Sequence, residues 1–125
     1  MVFVVSDFLA DGYEGALAVA ARRHDVIPVV ISDPIEDELP GSGGASAALT
    51  GLWPVLDSET GETVLLDFSD EATRKTYAQL SRAAREKREK LFRKLSLDAV
   101  RVRPGDDYVA PLAALFRARA RRRGG

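Results

Sequence analysis

Val2-Phe3-Val4-Val5 is an unbroken apolar run that passes directly into Ser6-Asp7. Such a run, without polar alternation, has the pattern of a strand buried on both faces, as in parallel sheets covered by helices. It predicts a central strand over 2–6. From Ala10 to His24, Leu17, Ala20 and Ala21 recur at helical spacing, with Asp11 and Glu14 early and Arg22 and Arg23 late. Acid at the start and base at the end both suit the helix dipole, which predicts a helix over 11–23. Val26–Ile31 is a second apolar run, and strand, helix and strand in close succession make a right-handed βαβ unit with parallel strands. Pro28 has no N–H to donate, so its strand is expected to lie near an edge or to pair on one side only at that point.

Asp33-Pro34 opens an acidic passage through Glu36, Asp37 and Glu38 to Gly41-Ser42-Gly43-Gly44, without periodicity before Leu49, and reads as a loop. Leu52–Leu56 and Thr63–Leu66 flank the polar connection Asp57 to Glu62, in which Gly61 supplies the positive φ of a bulged hairpin turn. Trp53 is the large apolar group expected to anchor this ribbon. A long helix is predicted over 70–95, capped by Ser69 or Asp70. Its core stripe is Tyr77, Leu80, Ala84, Leu91 and Leu95, and its charged middle, Arg85 to Lys90, is expected at the surface. Glu86 with Lys90 and Glu89 with Arg93 stand in favourable i, i+4 order. A third strand over 98–102 alternates apolar residues with Arg101 and Arg103, as suits an edge. Pro104-Gly105 turns the chain. Asp106 or Asp107 then caps a last helix over 107–120, with a stripe of Val109, Leu112, Leu115 and Phe116 and Pro111 in its first turn.

Composition adds exclusions. The chain has 125 residues, one domain's worth, taken as a single domain over 1–125. Without Cys, it has no disulfide, thiolate metal site or cysteine nucleophile. No apolar run approaches the roughly 20 residues of a transmembrane helix, and there is no basic leader, so the chain is expected to be soluble and cytoplasmic. The net charge of -1 conceals a division: residues 1–69 hold twelve acids and two bases, whereas residues 70–125 hold seven acids and sixteen bases. The halves attract one another across the fold, or the basic half presents a nucleic-acid surface; the first reading is preferred.

Asp7 is the candidate functional residue, because ligands in open α/β sheets bind at the carboxyl ends of strands. The alternative is that Ser6 and Asp7 cap the following helix. His24, the only histidine, sits at a helix end and suits capping. No Ser-His-acid arrangement and no phosphate-cradling G-x-x-x-x-G-K-[ST] string is present. The Glu36-Asp37-Glu38 cluster has the chemistry for a hard cation, but the solvated loop is the preferred reading. The closing arginines from Arg117 to Arg123 suit an anionic surface or the frayed end of a helix.

Taken in order, Val4-Val5-Ser6-Asp7-Phe8-Leu9, Ala21-Arg22-Arg23-His24-Asp25-Val26-Ile27, Ser32-Asp33-Pro34, Glu38-Leu39-Pro40, Asp57-Ser58-Glu59-Thr60-Gly61-Glu62 and Asp107-Tyr108 with its arginine-rich helix resemble the C-terminal portion of the bacterial "domain of unknown function 58" proteins. The resemblance spans nearly the whole chain. It implies an α/β, Rossmann-like fold, half of a von Willebrand factor A-like domain, with an inserted hairpin and flanking helices. It also implies a metal-ion-dependent adhesion site, to which this chain contributes only Asp7; the D-x-S-x-S string of such sites is absent. One carboxylate does not hold Mg²⁺ tightly, so no cofactor is expected in this chain, with Mg²⁺ reserved for the full-length protein.

The same resemblance implies a non-enzymatic binding or assembly module, with a MoxR-type AAA ATPase as partner and membrane attachment only through segments outside this chain. The rival reading is a small nucleic-acid-binding or enzymatic Rossmann-like domain using the basic C-terminal half. If the first strand belongs to the centre of a larger sheet, its outer edge is bare in this chain. A homodimer is then expected, with two first strands antiparallel about a twofold axis.

Overall fold

The computed structural model describes residues 1–32, 51–57 and 60–124. The acidic passage from Asp33, the Glu36-Asp37-Glu38 cluster, the Gly41–Gly44 run and Glu59 lie outside the described residues. In chain order the elements are β1 (Val2–Ser6), α1 (Glu14–Arg23), β2 (Val26–Ile31), β3 (Leu52–Leu56), β4 (Thr63–Asp67), α2 (Glu71–Lys94), β5 (Val100–Val102) and α3 (Val109–Arg123). The fold is α/β: the described residues form a three-stranded parallel sheet in the order β1-β2-β5, an antiparallel β3-β4 hairpin, and three helices.

The strand order corrects one expectation. β2 is the centre of the sheet, and β1 is an edge. Val26, Ile27, Pro28 and Val30 of β2 are buried, whereas Val2, Phe3 and Val5 of β1 are exposed. An apolar run reports two apolar faces and says nothing about how many strands flank it. The proline in the central strand is explained by register. Val2 opposes Val26 and donates to the Asp25 carbonyl, while Ser32 donates to the Val102 carbonyl. Even-numbered residues of β2 therefore aim their backbone groups at β5, whose pairing begins only at Val29 with Val100. The missing N–H of Pro28 points to where β5 has not yet begun, so no ladder bond is lost. Pairing on one side at Pro28 is thus the outcome, and the edge placement is not.

One face of the sheet closes over Phe8, Leu17, Val26, Val30 and Phe92, which form the main core with Val4 and Tyr13 packed against it. Phe8 makes edge-on ring contacts with Phe92 and Tyr13, at 5.2 and 5.3 Å between centroids. On the other face Phe3 meets Phe116 of α3 edge-on, at 6.4 Å. The apolar stripe of α3 is only partly covered, since Val109 is exposed and Leu112 and Leu115 are half-buried.

α2 joins this core to a smaller one. Its first turns pack Tyr77 and Ala78 on the buried Phe68 just after β4, with Val55 and Leu66 of the hairpin. Phe68, rather than Trp53, is the hairpin's anchor; Trp53 is 39% exposed. Gly61 supplies the expected positive φ, at 73°. Asp70 caps α2 by accepting from the Thr73 amide at 3.0 Å and its hydroxyl at 2.8 Å, while Ser69 accepts from the Gly51 amide. The other end closes with Ser96 left-handed, its amide donating to the Arg93 carbonyl and that of Leu97 to the Phe92 carbonyl, a paired cap that turns the chain toward β5.

The charged middle of α2 does not all lie at the surface. Arg88 is buried and Arg85 and Glu89 are half-buried, whereas Leu80, assigned to the core stripe, is exposed. Glu89 pairs with Arg101 of β5. The closing arginines are not a frayed end either. Arg119 is held by Asp25 at 2.7 Å and Asp98 at 3.3 Å, and Arg122 by Asp98. Lys87 with Asp11 and Arg119 with Asp25 join the acidic half to the basic half, as the charge division anticipates. No described helix is long and apolar enough to cross a membrane.

Candidate functional site

β1, β2 and β5 are parallel, so their carboxyl ends come together, at Ser6-Asp7, Ser32 and Arg103. At the end of β1 the chain turns sharply. Ser6 Oγ accepts from the Phe8 amide at 3.0 Å and Asp7 Oδ1 from the Leu9 amide at 3.1 Å. These are local turn bonds of the kind short polar side chains make two residues on. Neither residue caps α1, which begins seven residues after Asp7 and has Tyr13 at its cap position without a side-chain bond. Phe8 is left with φ of 55° although it is bulky and buried. L-residues of this size avoid that region at a cost of about 1–3 kcal/mol, and packing between Phe92 and Tyr13 holds it there. The turn thereby presents Asp7 to solvent.

Arg88 crosses beneath this turn and donates from Nη1 to the Asp7 carbonyl at 3.1 Å. A charge-assisted bond to a partly buried carbonyl stabilises by roughly 1.5–3 kcal/mol, and it ties α2 to the end of β1. The same side chain also lines a cleft of about 300 Å³ between α2 and the ends of β2 and β5. That cleft is walled by Arg85, Arg88, Arg101 and Arg103, by Asp106 and Asp107 from the turn after β5, and by Ser32. Asp107 also accepts from the Val109 amide at 2.9 Å, one residue before the α3 cap position, Tyr108. Sequence reasoning placed Asp7 at this end of the sheet and missed the arginine wall. The available signal was spacing, since Arg88 falls between Ala84 and Leu91 on the apolar stripe of α2.

Beneath the β1 side of the turn, Lys87 holds Asp11 at 2.9 Å and Glu14 at 3.5 Å. The hydrogen bond to Asp11 raises the Lys87 ammonium above its usual range. Glu14 is lowered, first by its own backbone amide and then, more weakly, by the Gly12 amide and Lys87. Burial pushes the Tyr13 hydroxyl up. His24 stands at the α1 cap position, where its amide bonds the Ala20 carbonyl, and it is exposed and remote from the cleft by position at the opposite end of β2.

The described residues do not by themselves fit a metal ion. Among the described residues there is no group of three or more His, Cys, Asp or Glu side chains that would hold one. Asp7 has part of its carboxylate committed to Leu9 and a guanidinium on its carbonyl, an electrostatic setting unfavourable to a divalent cation. The chemistry the cleft does offer is planar, multidentate recognition of carboxylate or phosphate oxygens by guanidinium, balanced by two acids.

No curated protein and no solved structure matches the chain. A family model does, over residues 1–88, from β1 to Arg88 itself, so that β5 and α3 lie beyond the matched stretch. The resemblance read across nearly all of the sequence is therefore shown for its larger, N-terminal part, and the chain belongs to the family described as protein of unknown function DUF58.

Proposed function

We propose that this chain is a non-enzymatic protein-binding module, whose recognition surface includes the carboxyl end of its parallel sheet. The observation that carries this reading is the make-up of the cleft: four arginines and two aspartates around Ser32, with no histidine or cysteine in its lining. Arginines lining a cleft suit a carboxylate-bearing segment of another protein. Under this reading the sheet is half of a von Willebrand factor A-like domain, and Asp7 is its single contribution to an adhesion site whose other ligands come from elsewhere. The expected partner is a MoxR-type AAA ATPase, and the expected location is cytoplasmic. Calorimetric titration of such an ATPase into the chain is expected to give saturable binding that weakens at least tenfold in Arg103→Glu. An isotherm unchanged by that reversal, or turnover of a substrate lost in Ser32→Ala, would overturn it.

A nucleic-acid-binding role fits less well. Arg119 and Arg122 of the basic helix are engaged by Asp25 and Asp98 within the chain, which lowers the free positive charge available to a phosphate backbone.

A further inference from the structure

The arginines of the cleft are brought there by two local patterns. Arg85 and Arg88 stand three apart on α2 and share a face, while Arg101 and Arg103 stand two apart along β5 and its end and share a side of the sheet. Ser32 directly follows β2, and its amide donates to the Val102 carbonyl at 3.0 Å. Arg103 opens a turn in which the Asp106 amide donates to the Arg103 carbonyl at 3.0 Å, across Pro104 and Gly105, whose φ is 88°. Proline in second place and a left-handed glycine in third are the marks of a type II turn, which fixes where Arg103 leaves the strand. Arg88 is only 6% exposed, and its bond to the Asp7 carbonyl orients the guanidinium without cancelling its charge.

We infer that the anion this cleft prefers is a phosphate monoester, with a carboxylate as the weaker alternative. This preference rests on the cleft's being the recognition surface, and it narrows what that surface takes. Charge is the first reason. Among the described residues lining the cleft, four arginines outnumber two aspartates, and the balance stays positive even with Arg101 drawn to Glu89 from outside the lining. A phosphate monoester carries a charge of about −1.5 to −2 at neutral pH, more than a single carboxylate does, and so gains more from that excess.

Shape is the second reason. One guanidinium fork satisfies the two coplanar oxygens of a carboxylate. A phosphoryl group has three terminal oxygens in a pyramid, so it makes use of donors that arrive from the helix and from the strand ends together. Each guanidinium has five N–H donors, which lets Arg88 keep the Asp7 carbonyl and still donate to an anion. The Ser32 hydroxyl is a further, neutral donor in the lining. Asp106 and Asp107 repel additional anions, which confines the site to one phosphoryl group. Size agrees, since a water takes about 30 Å³ in the liquid and the cleft of about 300 Å³ has room for a phosphoryl group with part of its carrier.

Calorimetric titration with a short peptide carrying one phosphoserine, and with the same peptide carrying glutamate in its place, tests the preference. The phosphoserine peptide is expected to bind about tenfold more tightly, the equivalent of one further charge-assisted bond. Arg103→Gln, at an exposed position, and Arg85→Gln are each expected to weaken it about tenfold with circular dichroism unchanged. Glycerol phosphate is the third probe: affinity equal to that of the phosphoserine peptide assigns the site to small phosphate esters, and weaker binding assigns it to a phosphorylated protein segment. Equal affinity for the two peptides, no binding of the phosphoserine peptide, or binding that survives both substitutions overturns the inference. The partner is judged separately. An ATPase that binds through Arg103 while the two peptides bind equally removes the phosphate preference alone, and phosphate-selective binding without ATPase binding removes that partner alone.

Discussion

The parallel sheet has two edges built on opposite plans. β1 offers five residues, four of them apolar, with exposed side chains on both faces and a groove beside it. β5 is three residues long, presents Arg101 outward to Glu89 of α2, and is followed at once by Arg103, Pro104 and Gly105. Shortness, charge and proline are how sheets are terminated. The comparison teaches that, among the described residues, β5 carries the features that terminate a sheet and β1 does not. α2 serves both sides from one turn: Lys87 reaches Asp11 and Glu14 under β1, Glu89 reaches Arg101 on β5, and Arg88 between them holds the Asp7 carbonyl.

The largest effect separates the buried centre of the sheet from the exposed β1 edge. Ile27, fully buried in β2, should cost about 2–5 kcal/mol when changed to alanine. Val5 is 59% exposed, and Val5→Ala measured where the chain is monomeric should cost about 0.5 kcal/mol or less. Urea unfolding of both variants checks the contrast. A loss at Val5 as large as at Ile27 would mean that the β1 edge is covered within one chain.

Next is the residue that joins the two sides. Arg88→Met keeps the stem and removes the guanidinium, leaving the Asp7 carbonyl without its charge-assisted donor; a loss of about 1–3 kcal/mol is expected by urea unfolding. A neutral or stabilising result would show that the buried charge is kept for recognition in the cleft, since buried ions often contribute little net stability.

Much of this architecture was legible from periodicity, and the exceptions share a cause. Runs and stripes located the five described strands and three described helices because those signals are local. Of the cap readings, Asp70 on α2 holds, whereas α3 has Tyr108 at its cap position without the side-chain cap expected of Asp106 or Asp107, and α1 starts at Glu14, three residues later than expected. Strand order is not local: Val2–Val5 and Val26–Ile31 look equally apolar, and only register shows why Pro28 is harmless in the centre. Arg88 was hidden by its neighbours, since Arg85 to Lys90 reads as a solvated face unless the single position aligned with Ala84 and Leu91 is singled out. Phe68 was overlooked for the larger Trp53, because sequence shows side-chain size and not which way a hairpin leans. Asp7 was legible as a strand-end residue, but the arginines that share its end of the sheet arrive from α2 and β5, far along the chain.

A smaller effect tests the guard on β5. Arg101→Val removes a half-exposed ion pair worth about 0–1 kcal/mol, so unfolding should barely change. It also gives β5 an apolar outer face like that of β1. Light scattering on heating is expected to show earlier and larger aggregates than for the wild type. Unchanged scattering would mean that the shortness of β5 and the turn at Pro104 are protection enough.

The smallest effect is a titration that acts on the β1 side alone. Lys87 is held above its ordinary range by its hydrogen bond to Asp11, with Glu14 adding a weaker attraction. A lysine raised on folding contributes stability that is fully present below its unfolded value and lost as pH rises through the folded one. At neutral pH Lys87→Met should therefore melt slightly below the wild type, and the gap should close only at strongly alkaline pH, above Lys87's ordinary range. The ion pair on the opposite edge contains no lysine, so the matching gap between wild type and Glu89→Gln should stay constant over the same range. Thermal melts across that range decide it. Parallel closure of both gaps would mean that the alkaline change is general unfolding, and that the two sides of α2 do not act separately.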